Sequence, residues 1–183
     1  MHTYPIHTMD TAPEGSKAAL QGLQQAFGLI PNLAATMAGT PSLVNSFVAA
    51  FGQFAGSTFS PGERQILLLS NAVANTSPWA VAFHSTMALK EGVDPSEVAA
   101  VRNRELPSDR RLAALSALTR ALIEKRGHLD AVDIKAFTTA GFDGGQVLEV
   151  ITGLAISTMA NYTGNITPPP LEEPFRAQAW TAE

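Results

Sequence analysis

Residues 65–84 read QILLLSNAVANTSPWAVAFH. The stretch is entered through Ser60, Pro61, Gly62 and Glu63. This is the pattern of a helix start, with a serine cap, a proline in the first turn and an acid near the positive helix end. Ile66, Leu67, Leu68, Leu69 and Val73 then make the helix apolar nearly all round, which predicts burial at the centre of the molecule. Asn75, Thr76, Ser77 and Pro78 interrupt it, and a second helix is predicted from about Pro78 to Lys90, closing at Gly92. His84 stands in the middle of that second helix, flanked by Val81, Ala82, Phe83 and Met87.

Working outward, every other segment is helical or a connector. Ser16 reads as the cap of a first helix carrying Ala18, Leu20, Leu23 and Phe27, stopped by Gly28. Pro31 opens a short helix, and Pro41 opens one whose Leu43, Val44, Phe47, Val48, Phe51 and Phe54 share a face. Asp94, Ser108 or Asp109, Asp130 and Asp143 are start signals for four more helices, the last running to about Tyr162. No segment alternates with a period of two. The fold class is therefore all-α, about eight or nine helices in a single domain over residues 1–183. Residues 1–15 form an extended lead-in, and residues 166–183 a Pro-rich tail that is non-helical at Pro168, Pro169 and Pro170. The tail's Phe175 and Trp180 are expected to dock on a surface or a neighbouring subunit.

Composition sets limits on function. Of 183 residues 45% are hydrophobic and 15% charged, against about 25% charged in an ordinary soluble domain. So sparse a charge leaves more apolar surface than one small monomer hides, and a homo-oligomer is expected. The net charge is −4 and there is no basic run, which argues against nucleic-acid binding. No apolar run is long enough to span a membrane and no secretory signal is present, so the expected location is cytoplasmic. The chain has no cysteine, hence no disulfide, no thiolate ligand and no thiol redox chemistry of its own.

The 65–84 stretch resembles the core of the carboxymuconolactone decarboxylase and AhpD-like alkylhydroperoxidase superfamily, in which a buried helix carries Glu, the next begins with Cys-x-x-Cys, and a His follows four residues later. The segment from Phe27 to Leu33, then Thr40, Pro41, Ser42 and Leu43, looks like that family's opening segment. Leu148, Glu149, Val150 and Ile151, with Asn161 and Tyr162, look like its last helix. Pro170, Leu171, Glu172 and the residues from Phe175 to Trp180 look like the tail of its peroxidase-related branch. The resemblance implies an AhpD-like helical fold assembled as a trimer or hexamer. Gln65 stands where the family has Glu, Ser77 and Ala80 where it has the two cysteines, and Trp79 between them where peroxidase members can have His. The branch's terminal Asn-Tyr-x-Asn-His is here Asn161, Tyr162, Thr163, Gly164 and Asn165. Only His84 is kept. A peroxidase cycle needs a thiolate to attack and a thiol to resolve, and serine supplies neither. Gln in place of Glu keeps shape and hydrogen bonds but takes no proton.

The candidate site is thus His84 as general acid/base, with Gln65, Ser77, Trp79, Ala80 and Asn165 as pocket residues. Ser77 lies about two helical turns, roughly 10 Å, before His84, too far for a nucleophile pair along one helix. Glu63 is about 200° around from Gln65 and does not replace the family's acid. Neither a metal nor a cofactor is expected, because His84 has no second His or carboxylate at helical spacing. His2 and His7 are expected in solvent, and His128 at a helix end. Two functions stand open. One is a non-redox enzyme, such as a lyase or isomerase, acting on a small organic molecule through His84. Against an acidic substrate, no Arg or Lys follows Arg64 within the core stretch. The other is a catalytically inactive AhpD-like scaffold that binds a small apolar ligand or a protein partner.

Overall fold

In the computed structural model, which describes residues 4–181, the predicted central helix is α4, Pro61–Ala74. Its start is held by a reciprocal pair: Glu63 N donates to Ser60 Oγ at 3.2 Å and Ser60 N to Glu63 Oε2 at 2.9 Å. Residues 66–73 are all buried. That is possible because α4 is covered by α5 (Pro78–Lys90), α6 (Pro95–Arg102), α7 (Arg110–Glu124) and α9 (Gly144–Ile166). Each fully buried Leu or Ile contributes on the order of 1.5–3 kcal/mol of hydrophobic stabilisation.

The remaining helices are α1 (Glu14–Phe27), α2 (Asn32–Met37), α3 (Pro41–Ala55) and α8 (Ala131–Thr139), with one 3-10 helix at Glu173–Gln178. The described residues thus hold nine α-helices and no strand. Asp94, Asp130 and Asp143 cap α6, α8 and α9 as the sequence predicts, the last two in reciprocal pairs with Asp133 and Gln146, and of the two candidates for α7 the cap is Asp109 rather than Ser108. Gly28 closes α1 in the left-handed region at φ 75°. Where α9 crosses α4, the Leu67 and Phe54 side chains pack directly onto Gly153. A Cβ there would stand 2.4 Å from Leu67 Cδ2, so a larger residue would force the buried Leu67 side chain to move.

Two apolar clusters share α4. One joins it to α1, α2 and α5 around Leu20, Leu33, Val81 and Phe83. The other joins it to α3, α7 and α9 around Phe54, Leu115, Phe137 and Phe142.

One expectation needs correction. Ser16 does not cap α1, which begins earlier, after Pro13. Ser16 is fully buried and its hydroxyl donates to Ala38 O at 2.7 Å, tying α1 to the end of α2. The tail is non-helical at Pro168, Pro169 and Pro170, as expected, and beyond them forms the 3-10 helix, with Pro174 in the first turn where a missing N–H costs nothing. His2 lies outside the described residues.

Candidate functional site

A narrow cavity opens between α1, α2, α3, α5 and α9, with Leu68 of α4 beneath it. Its fifteen lining residues include Leu23, Phe27, Phe47, Phe51, Trp79, Ala80, Phe83, His84, Ile156 and Ser157. The enclosed volume is about 30 Å³, room for a water or two. Phe27, Phe47 and Phe51 are half-buried, whereas Phe83 is buried. The rings touch in succession: Phe47 to Phe51 at 5.9 Å, Phe51 to Phe27 at 6.1 Å and Phe27 to Phe83 at 5.5 Å between centroids. Trp79 then stacks on Phe83 at 5.1 Å, tilted by 13°.

The polar head of the cavity is a pair supplied by the two central helices. Gln65 on α4 and His84 on α5 meet with Oε1 3.0 Å from Nδ1. The amide oxygen can only accept, so Nδ1 carries the proton and donates, and Nε2 keeps its lone pair. Nε2 has no partner among the described residues. His84 is 7% exposed, and burial lowers its pKa from 6.5 to about 3. The neighbouring Gln65 offers no charge to offset that desolvation. The imidazole is therefore neutral at physiological pH. It can accept a hydrogen bond or a proton, but it holds no acidic proton of imidazolium to give.

The tail completes the wall. Phe175 packs edge-on against Trp79 and Phe83. The Glu172 carboxylate accepts from Trp79 Nε1 at 2.9 Å and from the backbone N of Asn32 at the start of α2. Farther along, Arg102 donates to the carbonyls of Gln178 and Ala179, and Trp180 Nε1 donates to Arg102 O at 3.2 Å. Both tail aromatics thus dock on their own chain.

Of the residues singled out from sequence, the structure brings together Gln65, Trp79, Ala80 and His84. Trp79 serves packing and lining at once. Ser77 is buried at the start of α5 but does not line the cavity or bond His84. Asn165 is exposed at the far end of α9, where its amide donates to Asn75 O at 2.8 Å. Glu63 pairs with Arg111 at 2.9 Å, away from Gln65. Sequence reasoning missed Glu172 and Ser157 as parts of the site. Among the described residues no three His, Asp or Glu side chains are placed to share a metal ion, and no helix is long and apolar enough to cross a membrane.

Comparison with solved structures defines the class. A peroxidase-related protein with an AhpD core from Ralstonia eutropha JMP134 matches with a TM-score of 0.82 at 18% identity, covering 94% of this chain and 93% of the other. A peroxidase-related protein from Silicibacter sp. TM1040 matches with a TM-score of 0.79 at 17% identity, covering 96% and 95%. The debrominase Bmp8, as a cysteine-to-alanine variant in complex with 2,3,4-tribromopyrrole, matches with a TM-score of 0.79 at 18% identity, covering 97% and 95%. At these identities the likeness is one of fold, and the fold is AhpD-like. Residues 41–120, which hold both α4 and α5, match the family model of the carboxymuconolactone decarboxylase family. This is a cysteine-less version of that segment. No curated protein matches the chain.

Proposed function

We propose that the cavity beneath Trp79 binds a small, neutral, largely apolar ring molecule carrying one hydrogen-bond donor, with His84 as its acceptor. The lining carries this reading. Among its fifteen residues His84 is the one titratable side chain, and burial holds it neutral. Gln65 fixes the tautomer, so Nε2 offers a lone pair in a chamber that is aromatic and aliphatic apart from Ser157. At about 30 Å³ the chamber admits a ring only when the half-buried Phe27, Phe47 and Phe51 swing outward. The ligand in the debrominase complex, 2,3,4-tribromopyrrole, is a molecule of this kind, a compact apolar ring with one N–H. With no thiol in the chain, such a ligand would be held without thiol redox chemistry.

The second reading keeps His84 as a catalytic base in a non-redox lyase or isomerase. Its geometry supports proton acceptance at Nε2, but the low pKa weakens the base and removes the acid half of an acid–base cycle at neutral pH. The lining also lacks a cation to hold a carboxylate. Ligand binding is therefore the better supported function. The exposed apolar face of α9 (Leu148, Ile151, Tyr162 and Ile166) further supports self-association of the chain.

The test is fluorescence titration with 2,3,4-tribromopyrrole in a Trp180→Phe background, so that Trp79 reports alone. Quenching is expected, and His84→Leu should weaken binding about tenfold, as for loss of one buried hydrogen bond. Equal affinity in the two proteins would remove His84 from the site.

A further inference from the structure

Five buried side-chain polar atoms lack a hydrogen-bond partner among the described residues, and three of them lie along one line. Ser157 Oγ belongs to a residue of the cavity lining, 3% exposed. Asn161 Nδ2, 1% exposed, is one turn farther along the same face of α9. Gly164 follows on that face, where a Cβ would lie 3.3 Å from Ser77 Oγ, the third unpartnered atom. Two other hydroxyls of α9 behave differently. Thr158 and Thr163 donate to the carbonyls four residues back, at 2.9 and 2.7 Å. Ser157 makes no such bond, although that acceptor is available to any serine in a helix.

An unpartnered buried polar group is destabilising, and one that lines a cavity, as Ser157 does, points to something that satisfies it when present. The amide nitrogen can only donate, and each hydroxyl can donate or accept. The seam is therefore rich in donors, whereas His84 Nε2 is an acceptor. From this we infer that Ser157 forms a polar subsite on the α9 side of the cavity, where its hydroxyl donates to a hydrogen-bond acceptor of the bound molecule. The inference rests on the reading of the cavity as a ligand site and narrows its ligand class. The molecule has both a donor for His84 and an acceptor for Ser157, as in a ring N–H with a neighbouring carbonyl.

Two probes of similar shape separate the possibilities: 2-methylpyrrole, with a donor only, and pyrrole-2-carbaldehyde, with a donor and a carbonyl acceptor. Ligand-observed NMR titration of the intact protein should show the aldehyde bound about tenfold tighter, an advantage of ~1.4 kcal/mol. Ser157→Ala should bring the ratio close to one by weakening the aldehyde more than 2-methylpyrrole. Its melting temperature should stay level or rise, since an unsatisfied buried hydroxyl is replaced by a methyl of similar size. His84→Leu should weaken both probes. A wild-type ratio near one, or a ratio that Ser157→Ala leaves intact, overturns the subsite while the ligand-site reading stands. A change in melting temperature with an unchanged ratio is the result expected of a merely hydrated seam, and it overturns the subsite in the same way. Failure of both probes to bind the wild type overturns the ligand-site reading and this inference with it.

Discussion

Helices α3 and α4 are nearly equal in length, 15 and 14 residues, and adjacent in the chain. By composition α3 is the more apolar: it has no charged residue, whereas α4 begins with Glu63 and Arg64. Yet α3 fully buries only Val44 and Phe54, while α4 buries eight residues in a row. Hydrophobicity fixed which segments avoid water. The number of helices packed around each segment fixed which of them succeed. α4 is surrounded by α5, α6, α7 and α9, and its apolar surface is consumed by the fold. α3 packs mainly against α9 and α1, and its Phe47 and Phe51 are left half-buried at the cavity. Apolar surface left over after folding is surface available for a ligand or a second chain.

The largest expected effect tests that contrast directly. Leu67→Ala in α4 removes a fully buried side chain and should cost about 2–5 kcal/mol in urea unfolding. Phe51→Ala in α3 deletes a larger side chain but should cost only about 1 kcal/mol, with its main effect on ligand affinity. Equal losses of stability would mean that α3 is as structural as α4, and the contrast would fail.

An intermediate effect comes from the polar pair inside the buried region. The folded pKa of His84, about 3, lies below its usual 6.5. Between those values the unfolded chain binds a proton that the native chain does not, so stability falls as the pH drops through 6.5 toward 3. The slope approaches 1.4 kcal/mol per pH unit, giving a loss of about 2 kcal/mol from pH 8 to pH 5. His84→Leu should flatten the stability profile over that interval by the same amount, measured by urea unfolding at each pH. An unchanged profile would mean that the ring reaches water in the native state.

What could be read from the sequence follows the range of the interactions. Asp94, Asp109, Asp130 and Asp143 act within three residues of themselves, and the caps were legible, that of α7 to within the pair Ser108 and Asp109. The encounter of Gln65 with His84 spans two adjacent helices, and it was legible through the resemblance of residues 65–84 to a known core. Ser16 carried a cap's local signal, but a contact with Ala38 on another helix decided its role. Glu172 reaches Asn32 and Trp79 across most of the chain, and nothing local to Glu172 marks it as part of a cavity wall. Ser157 looks like any helical serine until its missing back-bond is seen beside Thr158 and Thr163. Asn165 was singled out through a motif, and its amide donates to Asn75 O outside the cavity lining.

The smallest effect on folding belongs to the outer face of α9. Leu148, Ile151, Tyr162 and Ile166 are 49–66% exposed. They fall within about 60° of one another around the helix axis and extend over about 27 Å of its length. Glu149 is the one charged residue in α9, and its carboxylate is engaged by Thr58. In a monomer, Ile151→Lys would place a lysine in water and change stability by no more than about 0.5 kcal/mol, with no change in mass. In a homo-oligomer joined through this face, the same lysine is driven into an apolar interface without a partner, and association should weaken at least tenfold. Light scattering across a dilution series should therefore show Ile151→Lys dissociating at concentrations where the wild type stays assembled, with urea unfolding of the dissociated chains nearly unchanged. A wild type that is monomeric at all concentrations would leave α9 as exposed as α3 without a second chain to account for it, and the surplus apolar surface would then belong to ligand binding alone.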